Sequence, residues 1–286
     1  MKPDPKSLIA DVESIARDAG MEIMRYYRGE LDAGLEIKTD GSQVTAADKA
    51  AEAIILPRLA ALTPNIPIVS EEAFESGVRP DISKGTFWTV DPLDGTAEFT
   101  GKTGAFVVAI SLVVDGKPVL GAIYHPAFGI MFSSAGPGTA ERTEKDGSRH
   151  KLGADGKRVG EELRIVASET SINTPLVKGY LSQQFGEAAA KIDGQPGLLR
   201  ATQVAENSAD VAVIYPKRRE GRTKFWDVAP GHAIVEAAGG RVTGIDGKEI
   251  TYDAPDYMVP PVISISPRMV VQMDKNGIGP GPAKPK

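Results

Sequence analysis

A hydrophobic segment that runs directly into two aspartates constrains this chain more than any other feature of its sequence. Thr86 to Val90 is predicted as a strand, and the chain continues as Asp91-Pro92-Leu93-Asp94-Gly95-Thr96. Proline fixes the turn, and glycine lets the backbone approach a ligand. If a helix starts here, the amides of Gly95 and Thr96 would point at an anion. The pattern predicts a place that holds a metal ion and a phosphate together; a plain strand-ending turn with a capping aspartate is the alternative.

Two further acidic segments also lie at predicted strand ends or helix starts. Ser70-Glu71-Glu72 follows a short predicted strand, and Phe225-Trp226-Asp227 leads into a helix predicted from Asp227 to Gly239. Taken singly, the first could be a solvated pair and the second a helix cap beside a core tryptophan. If the acids of all three segments converge, their negative potential requires cations for stability. The converging acids would be Glu71, Asp91, Asp94 and Asp227.

Composition limits which cation these acids could bind. The chain has no cysteine and only three histidines, so thiolate metal sites, disulfides and cysteine nucleophiles are excluded. Oxygen ligands favour magnesium, manganese or calcium.

Charge and hydropathy limit the partners and the location. The formal net charge of −5 argues against binding to a nucleic acid polymer. The N-terminus lacks the apolar region of a signal peptide, and no run of 18 apolar residues predicts an integral membrane span. We therefore expect a cytoplasmic protein, with peripheral association with the inner membrane left open.

Periodicity predicts mixed helices and antiparallel hairpins. Helices are predicted from Pro5 to Tyr27 and, after an N-cap at Thr45, to Leu62; Asp115-Gly116 predicts a hairpin turn. Residues 141–162 are interpreted as an exposed excursion, with a new unit starting near Leu163. The predicted organisation is an N-terminal α+β half (1–158), a C-terminal α/β half (159–275) and a disordered tail (276–286).

The acidic segments resemble the signatures of the inositol monophosphatase superfamily of metal-dependent, lithium-sensitive phosphatases. Asp91 to Thr96 is similar to its central signature, and Trp226 to Gly231, continuing to Gly240, is similar to its second. Residues Lys38 to Ser42 and Val44 to Asp48 resemble its N-terminal segment. The likeness spans about residues 5 to 268 and implies a layered α/β/α/β/α sugar-phosphatase fold, with largely antiparallel mixed sheets between helix layers.

This resemblance implies a role for each site residue. Magnesium ions, two or three in number, would be held by Glu71, Asp91, the Leu93 carbonyl, Asp94 and Asp227. Thr96 and Asp48 would orient and deprotonate the attacking water, with Glu71 assisting; an acid favoured by the helix start is the alternative for Asp48. Substrate would contact Asp94, Gly95, Thr96, Arg200 and Asp227. Manganese could substitute for magnesium, and lithium would inhibit.

Within the superfamily, the chain is most similar to bacterial 3'(2'),5'-bisphosphate nucleotidases, which hydrolyse adenosine 3',5'-bisphosphate and belong to sulfur metabolism. The pattern departs at Ala97 and Arg200, where lysine is usual, and at Asn207, where glycine is usual. Arg200 or the basic loop from Lys217 to Lys224 could face the second phosphate of a bisphosphate, although a solvated loop is the alternative.

Two other functions stay open at the level of sequence. An inositol or sugar monophosphatase, or a fructose-1,6-bisphosphatase, would share every metal ligand and differ in the substrate wall. A non-catalytic metal-binding interaction protein is the alternative of another class. The expected partner of the enzyme is a small phosphorylated metabolite, and the resemblance suggests a homodimer.

Overall fold

The computed structural model describes residues 2–37, 43–155, 163–168, 171, 173–185, 192–216 and 221–275. The predicted turn at Lys38 to Ser42, the boundary near residue 158 and the predicted disordered tail lie outside these residues. The division into two halves therefore stays a prediction. Among the described residues, no helix combines the length and apolar character needed to cross a bilayer.

The N-terminal part begins with two helices whose bounds follow from local sequence signals. Helix α1 (Pro5–Tyr27) has Asp4 as its N-cap, and helix α2 (Ala46–Leu62) starts after a capping box at Thr45. Pro57 lies inside α2. A strand pair, β1 (Glu36–Ile37) and β2 (Gln43–Val44), connects the two helices. Both predicted helices are confirmed.

The first large sheet follows α2. Within the described residues it has seven strands in chain order, of which only the first pair is parallel. The turn at Asp115 and Gly116 has positive φ at both residues, 52° and 71°, as a two-residue hairpin requires. Its strands are β3 (Ile68–Ser70), β4 (Phe87–Asp94), β5 (Val107–Val114), β6 (Lys117–His125), β7 (Ile130–Ser134), β8 (Glu141–Thr143) and β9 (Arg149–Lys151). Two short helices, α3 (Glu71–Glu75) and α4 (Thr96–Thr100), follow β3 and β4.

The second large sheet lies in the C-terminal part and is mixed. In the order β11, β10, β12, β16, β14, the first two pairs are parallel and the others antiparallel. Its strands are β10 (Ile165–Ala167), β11 (Ile192–Gly194), β12 (Val211–Ile214), β14 (Arg241–Gly244) and β16 (Val262–Ile265). A separate pair joins β13 (Thr223–Lys224) to β15 (Met258–Val259). The helices of this part are α5 (Pro175–Phe185), α6 (Leu199–Ala205), α7 (Ala229–Ala237) and α8 (Pro267–Lys275).

Three apolar cores separate the layers. Alternate residues of each strand point to opposite faces, so Trp88 and Val90 pack with α1 and α2, while Phe87 faces the other side. The central core joins that second face to α6, α7 and the inner face of the second sheet. The outer face of the second sheet packs against α5 and α8. The order helix, sheet, helix, sheet, helix confirms the predicted α+β layering with largely antiparallel sheets.

Three details differ from the expectation. Residues 141–151 are not an excursion, because β8 and β9 extend the first sheet and Arg149 pairs with the buried Glu13 of α1 at 2.8 Å. The helix predicted from Asp227 begins at Ala229, after a 3₁₀ turn over Phe225–Asp227. The closing helix α8 was not predicted.

Candidate active site

Strand β4 carries the two aspartates of the central motif into the interior. Asp91 is buried, and its Oδ1 accepts the backbone N–H of Leu93 at 3.0 Å. The pairing of β4 with β5 shifts register between Asp91 and Asp94. A bulge of this kind re-aims side chains at the end of a strand, and here it lies between the two acids.

Gly95 connects this strand end to α4. Its φ of +97° is left-handed, and a Cβ at this position would lie 2.8 Å from the carbonyl oxygen of Ala105. A side chain would therefore meet both backbone strain and a direct clash. Glycine allows Thr96 to begin α4 immediately beside Asp94.

Thr96 and Asp48 lie within reach of each other, although 48 residues separate them. The Thr96 hydroxyl donates to Asp48 Oδ1 at 3.3 Å, and the other carboxylate oxygen accepts the N–H and the hydroxyl of Thr45 at 2.7 Å each. Burial raises the pKa of Asp48, the bonds from Thr45 oppose that rise, and the charge of Glu71 adds to it. The two interpretations of Asp48 therefore involve different oxygens of its carboxylate. One carboxylate oxygen caps the start of α2, and the other accepts from Thr96.

Glu71 begins α3, and α2 fixes the position of that helix. Glu52 accepts the backbone N–H of Ala73 at 3.1 Å and the hydroxyl of Ser70. Glu52 lies one helical turn after Asp48, so α2 contacts both α4 and α3. Glu52 was missed at the level of sequence; its spacing from Asp48 on one helix face was the available signal.

Asp227 ends the 3₁₀ turn that precedes α7. Its Oδ2 accepts the hydroxyl of Thr223 at 2.8 Å, which fixes the orientation of the carboxylate. The neighbouring Trp226 is 2% exposed and packs against Phe74 of α3, with ring centroids 5.3 Å apart. Thr223 was also missed, because nothing local in the sequence marks it.

The predicted acids line one cavity of 350 Å³. Burial raises the pKa of Asp91 well above its ordinary value, and the charges of Glu71, Asp94 and Asp227 raise it further. Burial also raises the pKa of Asp94 to about 6, against the N–H of Leu198 and the charge of Arg200. The residues lining this cavity are Gln43, Glu71, Asp91, Leu93, Asp94, Gly95, Thr96, Ala97, Glu98 and Asp227.

This donor set fits a hard divalent cation. Burial is the main cause of the raised pKa values, and repulsion between the carboxylates adds to it. Bound cations would relieve that repulsion. In the described part of the chain, no three of these acids already surround a common point as a complete metal site does. A magnesium site does not require three protein carboxylates around one point, because magnesium retains waters and is bound by one or two carboxylates together with substrate phosphate.

A second cavity of 380 Å³ shares Asp94, Gly95, Glu98 and Asp227 with the first. Arg200 lines it, is 8% exposed and donates through Nη1 to the carbonyl of Gln195 at 2.7 Å. Within the described residues, its buried Nε has no hydrogen-bond partner. At one end of the cleft the charged lining residues are all acids, and at the other a buried guanidinium lies with three of those acids.

Between the two ends of the cleft, the backbone at Gly197 lies very close to the carboxylate of Asp94. A Cβ there would lie 1.9 Å from Asp94 Oδ2, and the N–H of the next residue, Leu198, donates to the same oxygen. The segment between β11 and α6 therefore contributes a backbone donor to an acid of the first sheet. Asn207, where the family pattern has glycine, has a φ of +62°, a conformation that asparagine tolerates better than most residues.

Of the basic loop, Lys217, Arg218 and Arg219 lie outside the described residues. Both Nη atoms of Arg222 donate to the carboxylate of Asp256. Lys224 is buried, with its Nζ 3.8 Å from the ring centroid of Phe74. Neither Arg222 nor Lys224 is among the described residues that line the two cavities.

A layered fold with a cleft of acids and one buried arginine defines a phosphatase of the metal-dependent type. The chain belongs to the inositol monophosphatase family, whose profile matches residues 4–272. The 3'(2'),5'-bisphosphate nucleotidase CysQ of Escherichia coli O6:H1 is 38% identical over 259 residues, or 91% of this chain and 99% of that protein. CysQ of Salmonella typhimurium is 40% identical over 248 residues, or 86% of this chain and 94% of that protein.

A solved structure agrees with these relatives. CysQ from Bacteroides thetaiotaomicron superposes with a TM-score of 0.70 at 26% identity, covering 89% of this chain and 95% of that chain. The predicted family and a phosphatase activity are confirmed by these matches, and the non-catalytic alternative loses its basis. Enzymes of this family depend on a metal, generally magnesium.

Proposed function

We propose that this chain is a magnesium-dependent 3'(2'),5'-bisphosphate nucleotidase that converts adenosine 3',5'-bisphosphate into AMP and phosphate. The observation that carries the proposal is the two-ended cleft. The acidic cavity suits the phosphate that is cleaved, and Arg200 in the adjoining cavity suits the phosphate that is retained. The names of the relatives support the same substrate.

Glu71, Asp91, the Leu93 carbonyl, Asp94 and Asp227 would hold the magnesium ions. When bound, magnesium supplies the positive charge that activates water and stabilises the phosphate oxygens. We propose two or three ions, with manganese as a substitute and lithium as an inhibitor.

The protein's own groups would place the reactants. The Thr96 hydroxyl would orient the attacking water, and Asp48, which already accepts from Thr96, would receive its proton. The N–H groups of Gly95 and Thr96 would bind phosphate oxygens. Asp94 and Asp227 border both cavities, so they would contact substrate as well as metal.

The test is magnesium-dependent release of phosphate from adenosine 3',5'-bisphosphate, inositol 1-phosphate and fructose 1,6-bisphosphate under one set of conditions. We expect the nucleotide to have the highest kcat/KM, and EDTA to abolish activity on all three. Preference for either sugar substrate would overturn the nucleotidase proposal and leave the metal-dependent phosphatase intact.

We also propose that the protein acts in the cytoplasm as a homodimer. The enzyme family is consistent with a cytoplasmic location, and the resemblance suggests a dimer. Light scattering of the purified chain tests the dimer: a mass near 60 kDa is expected, twice the 30.3 kDa of the chain, and a mass near that of the single chain would contradict it.

A further inference from the structure

A groove of 450 Å³ lies outside the cleft, between α1 and the turn that joins β6 to β7. Its volume is in the range of small-molecule sites, about 300–1,000 Å³. In the part of the chain that the structure describes, four cationic side chains and no acidic one line it; the four are Arg17, Arg25, Arg28 and Lys145. The lining of the groove is therefore positively charged, whereas the chain as a whole has a net charge of −5.

Among the described residues, two of these four cations have no carboxylate as an ion-pair partner. Arg25 pairs with Glu22 at 3.0 Å, and Arg28 lies 3.9 Å from Glu30. Among the described residues, no carboxylate lies within ion-pairing distance of Arg17 or Lys145. Both line the same groove, so a phosphate bound there could accept charge-assisted hydrogen bonds from them.

The remaining surface of the groove is apolar and partly aromatic. The ring of Tyr124 packs directly beneath α1, where a Cβ at Gly20 would lie 2.6 Å from it, and Arg17 lies 5.3 Å from its centroid. Met21 and Phe128, which also line the groove, are 58% and 57% exposed and so are accessible to a ligand. Methionine adapts well to flat rings, and aromatic side chains stack on them.

We propose that this groove is a second ligand site, which binds a phosphorylated aromatic metabolite of the nucleoside monophosphate class. Arg17 and Lys145 bind the phosphate, and Tyr124, Met21 and Phe128 contact the ring. The site is independent of the catalytic carboxylates, because the two sets of lining residues do not overlap.

The test is calorimetric titration of the full chain with AMP in EDTA. Without metal, the acidic end of the cleft repels phosphate, and charge reversals in the groove distinguish binding there from binding at Arg200. We expect one site whose affinity falls roughly tenfold or more in Arg17→Glu and in Lys145→Glu. Lys248→Glu makes the same charge change on a remote loop and is the matched control, with unchanged affinity expected. Magnesium-dependent activity and melting temperature verify that each variant folds.

Two partial ligands test the chemistry of the proposal. Adenosine lacks the phosphate and ribose 5-phosphate lacks the ring, so we expect each to bind at least about tenfold more weakly than AMP. Absence of AMP binding in EDTA, or AMP binding that both charge reversals leave unchanged, would overturn the site. Equal affinity for ribose 5-phosphate and AMP would overturn the aromatic class of the ligand.

Discussion

Glu52 of α2 accepts the backbone N–H of Ala73 in α3 at 3.1 Å. The bond fixes the start of the short helix on which Glu71 is the first residue. A carboxylate acceptor gives a stronger bond to an N–H than a neutral oxygen does. Glu52 therefore positions a proposed metal ligand, and it is not among the described residues that line the two cavities of the cleft.

We expect Glu52→Gln to weaken the dependence on magnesium more than it slows the saturated enzyme. The amide keeps an acceptor oxygen but loses the charge, so α3 is held less firmly. Outer partners of metal ligands typically contribute about 10-fold to 100-fold in metal affinity or activity. The half-saturating magnesium concentration, from initial rates, should rise roughly tenfold. Glu36→Gln, the same change at an exposed residue, is the control; identical magnesium profiles for all three proteins would contradict the role.

Thr96→Val should abolish most activity without unfolding the protein. The variant removes the hydroxyl that donates to Asp48 while keeping a branched side chain of similar shape. Loss of general-base positioning typically costs about 100-fold or more in kcat. Thr96→Ser keeps the hydroxyl and should retain activity within about tenfold of the natural enzyme. If the valine and serine variants have the same kcat, the hydroxyl has no role in catalysis.

Gly95→Ala should destabilise the fold by more than backbone strain alone. Left-handed backbone costs an ordinary residue about 1–2 kcal/mol, and the new Cβ would also meet the carbonyl of Ala105 at 2.8 Å. Gly136 has a similar φ of +100°, and a Cβ added there would have no atom within 4 Å, so Gly136→Ala isolates the strain. Urea unfolding should show a clearly larger loss of free energy for Gly95→Ala; equal losses would show that the clash relaxes.

The metal-free protein should become less stable as the pH rises from about 4 to above 6. Asp94 has a pKa of about 6 in the fold against an ordinary value of 3.8, and the pKa of Asp91 is also raised. The folded chain therefore binds more protons than the unfolded chain in this window, and deprotonation lowers the free energy of unfolding. Melting temperatures in EDTA should fall across this range, and Asp94→Asn should reduce the slope.

Magnesium should reverse that trend. Cations favour the ionised carboxylates, so the rise in melting temperature on adding magnesium should be larger near pH 7.5 than near pH 5. A magnesium effect that is independent of pH, or that is strongest in acid, would contradict the assignment of these acids as ligands.

Arg200→Ala should raise the KM for adenosine 3',5'-bisphosphate more than the KM for adenosine 3'-monophosphate. Only the first substrate carries the phosphate proposed to meet the guanidinium, and a lost charged contact costs about tenfold or more. Arg200→Lys restores the charge with a different geometry and should recover part of the loss. An equal increase in KM for both substrates would show that Arg200 does not bind the second phosphate.

Local signals in the sequence predicted those parts of the fold that local chemistry dictates. The N-cap of α2 at Thr45, the Asp115-Gly116 turn and the strand that leads into Asp91 follow from their own neighbours. The strands β8 and β9 were missed because their residues are polar and short-range patterns do not reveal a partner strand. In the fold, Arg149 of β9 pairs with Glu13 of α1, 136 residues away.

The site likewise contains residues that local sequence signals predict and residues that they do not. The acids were predicted from motifs, and the structure brings them to one cavity, but the groups that orient them were not predicted. Leu198 donates to Asp94 across a separation of 104 residues, so that contact is a product of tertiary packing. Thr223 lies only four residues before Asp227, but it belongs to β13 and Asp227 to the 3₁₀ turn that follows, so no regular helix or strand spacing marks the pair.

Strand β4 has a packed core on each face. A change that moved this strand to suit a new substrate would therefore disturb two cores at once. The opposite rim of the cleft, formed by residues 195–200 and 215–216, comes from the second sheet and its loops. A variant library aimed at new phosphate esters should therefore diversify that rim and leave residues 86–96 as they are.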